Sequence, residues 1–109
     1  MYKQGDIILI PFPYSDLTGS KKRPAIIISN SKLKGDDFIC SLITSNSPRD
    51  GLQIKKDSFE TGKLPFKSWI KPQRIFTIDK KIIIKKLATI NNKFYQKLEK
   101  EIYNFIKKE

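Results

Sequence analysis

With 109 residues, 22 of them Lys or Arg against 11 Asp or Glu, the chain carries a formal charge of +11. That length fits one small domain over residues 1–109, whose active site would be shallow or shared between copies, which makes a homo-oligomer the natural expectation. The charge suits a polyanion such as nucleic acid, although surface lysines also serve solubility alone; a single cysteine and no histidine exclude an intramolecular disulfide and leave no metal-ligand cluster and no cofactor to propose.

Ile7–Ile10 is a short aliphatic run, read as a strand buried on both faces. Pro11 and Pro13 should end its pairing, since neither can donate a ladder hydrogen bond. Tyr14 to Lys22 reads as a loop, rich in Ser, Asp, Thr and Gly, and Ala25–Ile28 as the second buried strand. A third strand is expected from Phe38 to Thr44, with Phe38, Cys40, Leu42 and Thr44 on one face and Ile39, Ser41 and Ile43 on the other. Ser45 to Gly51 is an exposed loop carrying Arg49. Leu52–Ile54 is a short strand, Phe59–Leu64 a connection, and Phe66–Ile70, Arg74–Ile78 and Ile82–Leu87 are further strands. About six short strands without intervening helices favour a small, strongly bent sheet closing as a barrel. From Asn92 the period becomes helical: Phe94, Leu98, Ile102, Phe105 and Ile106 form one apolar face to pack on the barrel, with Asn91 or Asn92 as cap. No apolar run is long enough to span a bilayer, so a soluble, unprocessed, cytoplasmic protein without a membrane partner is expected.

The segment GDIILIPFPYSDLTGSKKRPAIIIS at Gly5 to Ser29, the strand end LITSN at Leu42 to Asn46 and SWIKPQRIFTIDKKIIIKKLATI at Ser68 to Ile90 together resemble the PemK/MazF family of type II toxins. The resemblance implies a mainly β fold, an SH3-like small barrel with a C-terminal helix. It further implies a homodimer that cuts single-stranded RNA as a ribosome-independent endoribonuclease. A cognate antitoxin would neutralise it by laying a disordered segment along the substrate groove. Residue by residue, Arg23 of the Arg-Pro opening the second strand resembles the family's catalytic arginine. Thr44 resembles its catalytic threonine, and Gly19 and Ser20 the Gly-Ser of the loop that contacts RNA. The loop ahead of Gly19, Tyr14-Ser15-Asp16-Leu17-Thr18, departs from the family pattern and bears on which sequence is cut.

The residue types suit that chemistry. RNA carries its own nucleophile, the 2′-hydroxyl, so an enzyme can act without metal or a cysteine by stabilising the charge that grows on the phosphorane. Arg23 offers a planar fork of donors that lysine does not match, and Thr44 one hydroxyl more. Around them the candidate substrate contacts are Lys21, Lys22 and Ser45 beside the pair, Arg49 in the following loop, Gln73 after Pro72, and Tyr14 as a stacking aromatic. Asp16 is the nearest loop carboxylate that could serve as base, although an aspartate in such a turn more often fixes the turn by local hydrogen bonds. Arg49 could equally pair with Asp50, Arg74 could join Gln73 at base edges or in the dimer, and Trp69 and Phe66 read first as core. Cys40 reads as inert and buried. The alternative function is a non-catalytic toxin of the same barrel that binds nucleic acid or gyrase without cutting.

Overall fold

A computed structural model describes residues 1–12 and 21–109. Among these, seven strands form one antiparallel sheet: β1 (Asp6–Phe12), β2 (Lys21–Ile27), β3 (Asp37–Thr44), β4 (Leu52–Ile54), β5 (Phe59–Gly62), β6 (Ser68–Asp79) and β7 (Lys85–Ile90), followed by helix α1 (Asn92–Ile106). The order across the sheet is β4-β6-β3-β2-β1-β7-β5, and the sheet curls into a half-barrel of the expected SH3-like kind.

The continuous apolar runs are explained by a core on each side of the sheet. Ile7, Ile26, Ile43, Ile70, Ala88 and Ile90 point to the side covered by Phe94 and Leu98 of α1. Their neighbours Ile8, Ile10, Phe12, Ala25, Ile27, Cys40, Leu42 and Ile78 point to the other, where Tyr2, Phe38, Phe76 and Ile83 pack over them. Fully buried isoleucines of this kind each stabilise the fold by about 1.5–3 kcal/mol. The β3 alternation is as expected, with Cys40 and Leu42 on one side and Ile43 on the other.

Curvature comes from irregularities that sequence reading mistook for breaks. Phe66–Ile70 and Arg74–Ile78 are not two strands but belong to one region containing β6; its register against β3 slips between Ser41↔Ile75 and Leu42↔Lys71. Pro72 sits buried in that slip, and the Ser41 hydroxyl donates to the Lys71 carbonyl across it. A bulge lets a proline lie within a strand and sharpens the local twist. Within Phe59–Leu64, expected as a connection, Phe59–Gly62 is the edge strand β5, and the last strand runs from Lys85 rather than Ile82, after a short 3₁₀ turn at Lys80–Ile82. Gly62 is required there: its φ is +73°, and a Cβ would stand 2.7 Å from the Leu87 carbonyl oxygen.

Both ends of the chain are tied down. Asp6 is fully buried; one carboxylate oxygen accepts from the Lys3 amide at 2.9 Å and the other from the Thr89 hydroxyl at 2.8 Å. Asn91 caps α1, accepting from the Phe94 amide at 2.8 Å while its own amide donates to the Asp57 carbonyl at 2.7 Å. The helix does not bury its whole expected face. Phe94 and Leu98 are buried and Ile102 packs beside them, but Phe105 and Ile106 remain 51 % and 68 % exposed, because the last turn extends past the core cluster.

Candidate functional site

Two prolines shape the region around Arg23. Lys21 and Lys22 are not loop residues, nor does Pro11 end β1: the β1–β2 ladder runs on through Ile10↔Arg23, Pro11↔Lys22 and Phe12↔Lys21. Pro11 is tolerated because β1 has already lost its other neighbour, its pairing with β7 ending at Leu9↔Lys85. Pro24 acts in the same way on the far side of β2. The β2–β3 ladder spans only Ala25↔Leu42, Ile26↔Ser41 and Ile27↔Cys40, stopping where Pro24 has no amide hydrogen to give.

Arg23 and Thr44 therefore lie just beyond the last rung. The same register continued by two residues sets them across from one another, on the face that carries Ala25 and Leu42. Within this unpaired stretch the guanidinium is steered by an aromatic ring: Arg23 Cζ lies 6.0 Å from the Phe12 ring centroid, and Phe12 meets Phe76 edge-on at 5.7 Å and 70°. Arg23 Nε is buried and has no hydrogen-bond partner. A buried donor left in that state costs about 1–3 kcal/mol. An anionic oxygen entering beside it would remove that cost.

Thr44 is 8 % exposed, and its Oγ1 accepts from the Asn46 amide at 3.1 Å. That bond fixes the oxygen as acceptor and leaves the hydroxyl hydrogen to donate elsewhere. Across the next strands Thr44 pairs with Trp69, and Trp69 with Gln53. Trp69, half-buried, thus stands beside Thr44 rather than wholly in the core. The preceding loop folds against it: a Cβ on Gly51 would collide with the Pro48 ring and lie 3.1 Å from Trp69 Cβ.

Other sequence-predicted residues divide. Alternation places Lys21 on the Arg23 face and Lys22 on the opposite one. Ser45 is exposed next to Thr44. Gln73 and Arg74 are exposed at the β6 slip and line a cavity of about 240 Å³ with Phe12, Ile75 and Phe76, which brings them to the ring that also steers Arg23. Arg49 is not brought there; it lines a different cavity, of about 300 Å³, with Asp50, Gly51, Glu101, Asn104 and Phe105. Phe66, read first as core, is 73 % exposed because it precedes β6 instead of lying in a strand. Tyr14, Asp16, Gly19 and Ser20 lie outside the described residues. Cys40 is fully buried and burial pushes its thiol up to about 12, so it supplies no nucleophile. Sequence reasoning missed Phe12 and Gln53 as neighbours of the pair. Only strand register, which pairs Phe12 with Lys21 and Gln53 with Trp69, reveals them.

A curled antiparallel half-barrel with one C-terminal helix packed on it matches a known class. The family description "PemK-like, MazF-like toxin of type II toxin-antitoxin system" fits residues 3–106, and the chain belongs to that family. Among solved structures it is similar to an endoribonuclease in complex with its cognate antitoxin from Mycobacterial species, at 14 % identity over 94 % of this chain and 90 % of that one, TM-score 0.72. It is likewise similar to the Mycobacterium tuberculosis toxin MazF-mt6, at 14 % identity over 91 % and 93 %, TM-score 0.71. A MazE-MazF structure from Deinococcus radiodurans superposes at 13 % identity over 96 % and 95 %, TM-score 0.75. No curated protein sequence matches the chain.

Proposed function

We propose that this toxin is an endoribonuclease cutting single-stranded messenger RNA, sequence-selectively and without ribosome or metal, through Arg23 and Thr44. The single observation that carries the reading is the buried, unpartnered Arg23 Nε at the seam with Thr44. In the reaction the substrate's 2′-oxygen bonds to phosphorus and the bond from phosphorus to the 5′-oxygen breaks. The products are a 2′,3′-cyclic phosphate and a 5′-hydroxyl. Arg23 donates hydrogen bonds to the phosphorane oxygens and to the departing 5′-oxygen, and the Thr44 hydroxyl adds a further donor; the 2′-proton passes to solvent water, from which the 5′-oxygen takes one as it leaves. Neither accepts the 2′-proton, since a guanidinium stays charged at any working pH and the threonine acts as donor.

Family membership and the antitoxin-bound neighbour support a cognate antitoxin as partner; the working form in this reading is a homodimer. No helix among the described residues is long and apolar enough to cross a membrane, in keeping with a cytoplasmic substrate. Purified protein incubated with single-stranded RNA in chelator should leave cyclic-phosphate ends. Cleavage by the Arg23→Ala protein at the wild-type rate would overturn the mechanism.

A further inference from the structure

A second basic surface lies at the mouth between the two ends of the sheet. β4 and β5 terminate the strand order, so each has one edge without a neighbour among the described strands. Between them opens a cavity of about 490 Å³ with Ile54, Phe59 and Leu64 among its apolar lining; Lys55, Lys56, Lys63 and Lys67 also line it, and no carboxylate does among the described residues. Phe66 lies on the same cavity with 73 % of its surface in solvent. An open phenyl face among four ammonium groups is the combination that holds unpaired nucleotides: the ring stacks a base and the cations follow the backbone.

The position of this cavity favours RNA over an acidic peptide. Gln53 lines it, pairs with Trp69, and Trp69 pairs with Thr44. With strands about 4.8 Å apart, that row runs from the Thr44 seam to the β4 edge in about 10 Å, and the cavity opens around that edge, its apolar lining of Ile54, Phe59 and Leu64 belonging to the other face of the sheet. A half-buried indole stands midway.

We infer that the β4–β5 cavity is an accessory subsite for the same RNA strand, in which Phe66 stacks one unpaired base and Lys55, Lys63 and Lys67 hold the flanking phosphates. The inference rests on the proposed endoribonuclease reading and adds to it a grip on nucleotides outside the cleaved step. Its consequence is that affinity depends on RNA length.

The test uses fluorescein-labelled 2′-O-methyl RNA of random sequence, about 20 against about 4 nucleotides long, read by anisotropy over a salt series. Wild-type protein should bind the longer probe more tightly. Phe66→Ala should cut that length advantage about tenfold, and Phe66→Tyr should restore it. Lys63→Ala with Lys67→Ala should lower the salt slope for the long probe by about 1.4, roughly 0.7 for each phosphate deprived of its cation. An unchanged length advantage and salt slope in folded variants would overturn the subsite. So would variants that keep RNA affinity but escape inhibition by the antitoxin, because the cavity would then be a peptide surface. Since 2′-O-methyl RNA has no free nucleophile, these results stand whether or not the enzyme cuts. Failure of the wild type to cleave unmodified RNA would sink the endoribonuclease reading alone.

Discussion

Asp6 and Arg23 are ionic groups on neighbouring strands of one sheet, and they are treated in opposite ways. Asp6 is fully buried with a donor on each oxygen, one from its own turn and one from Thr89 at the far end of the chain. Arg23 is half-buried, and the part of it that is sealed from water, Nε, has no partner. Folding satisfies the first group and leaves the second incomplete. A buried charge whose bonds are all internal serves stability; one held in place by a ring at 6.0 Å with a donor unspent is preorganised for a ligand.

The largest expected effect follows from removing the unspent donor. Arg23→Ala should lower the single-turnover cleavage rate by about a hundredfold to a thousandfold while leaving the melting temperature unchanged or slightly higher. Arg23→Lys keeps the charge but not the planar fork, and should recover only a small part of the rate. A Lys variant as fast as wild type would show that charge alone acts at the seam. Thr44→Val removes one hydroxyl at constant shape; a rate loss of about a hundredfold is expected, with Thr44→Ser retaining most of the activity. Because Thr44 also accepts from the Asn46 amide, a large loss of stability in Thr44→Val would reassign the residue to holding its loop.

How far the sequence revealed this contrast depends on which interactions are local. The strand cores were legible because their β-branched runs advertise burial, and the helix because Asn91 and the spacing of Phe94 and Leu98 fix its start. The Gly5-Asp6, Arg23-Pro24 and Thr44-Ser45 pairs marked the family. Strand continuity was not legible: Pro11 and Pro72 read as breaks, and only the absence of a neighbour on one side, or a bulge, lets each stay within a strand. The partners of Arg23 were hidden for the same reason. Phe12 reaches it through antiparallel register, and Trp69 and Gln53 join Thr44 across β6 and β4, none of which a period of two can supply without pairing.

On the satisfied side of the comparison, Asp6→Ala leaves the Lys3 amide and the Thr89 hydroxyl without their acceptor inside the sheet. Urea denaturation should show a loss of about 2 kcal/mol. Asp6→Asn should lose less, because an amide oxygen still accepts from Lys3 and the Thr89 hydroxyl can turn to accept from the amide nitrogen. The cleavage rate per folded molecule should be unaffected by Asp6→Ala. A rate loss matching that of Arg23→Ala would erase the division between the two groups.

Cys40 is a third buried polar group, held by neither strategy: it is kept neutral. Desolvation pushes its thiol from an ordinary 9.0 up to about 12 in the fold, so the unfolded chain releases the proton first as pH rises. Between those values the unfolded state binds fewer protons than the native state, and stability must fall with pH. The contribution is fully present below pH 9.0 and is lost as pH climbs towards about 12, with a limiting slope of about 1.4 kcal/mol per pH unit. Tyr95, raised chiefly by burial, moves stability in the same sense. The informative quantity is therefore the difference between wild type and Cys40→Ala, from which the Tyr95 contribution cancels. Cys40→Ala should be less stable at neutral pH for want of packing, yet the gap should narrow by about 1.4 kcal/mol for each pH unit in the alkaline window. A constant gap would mean that the thiol ionises as readily in the folded sheet as in the open chain. The core on that side of the sheet, where Cys40 lies among Ile8, Ile27 and Leu42, would then be wetter than its packing indicates.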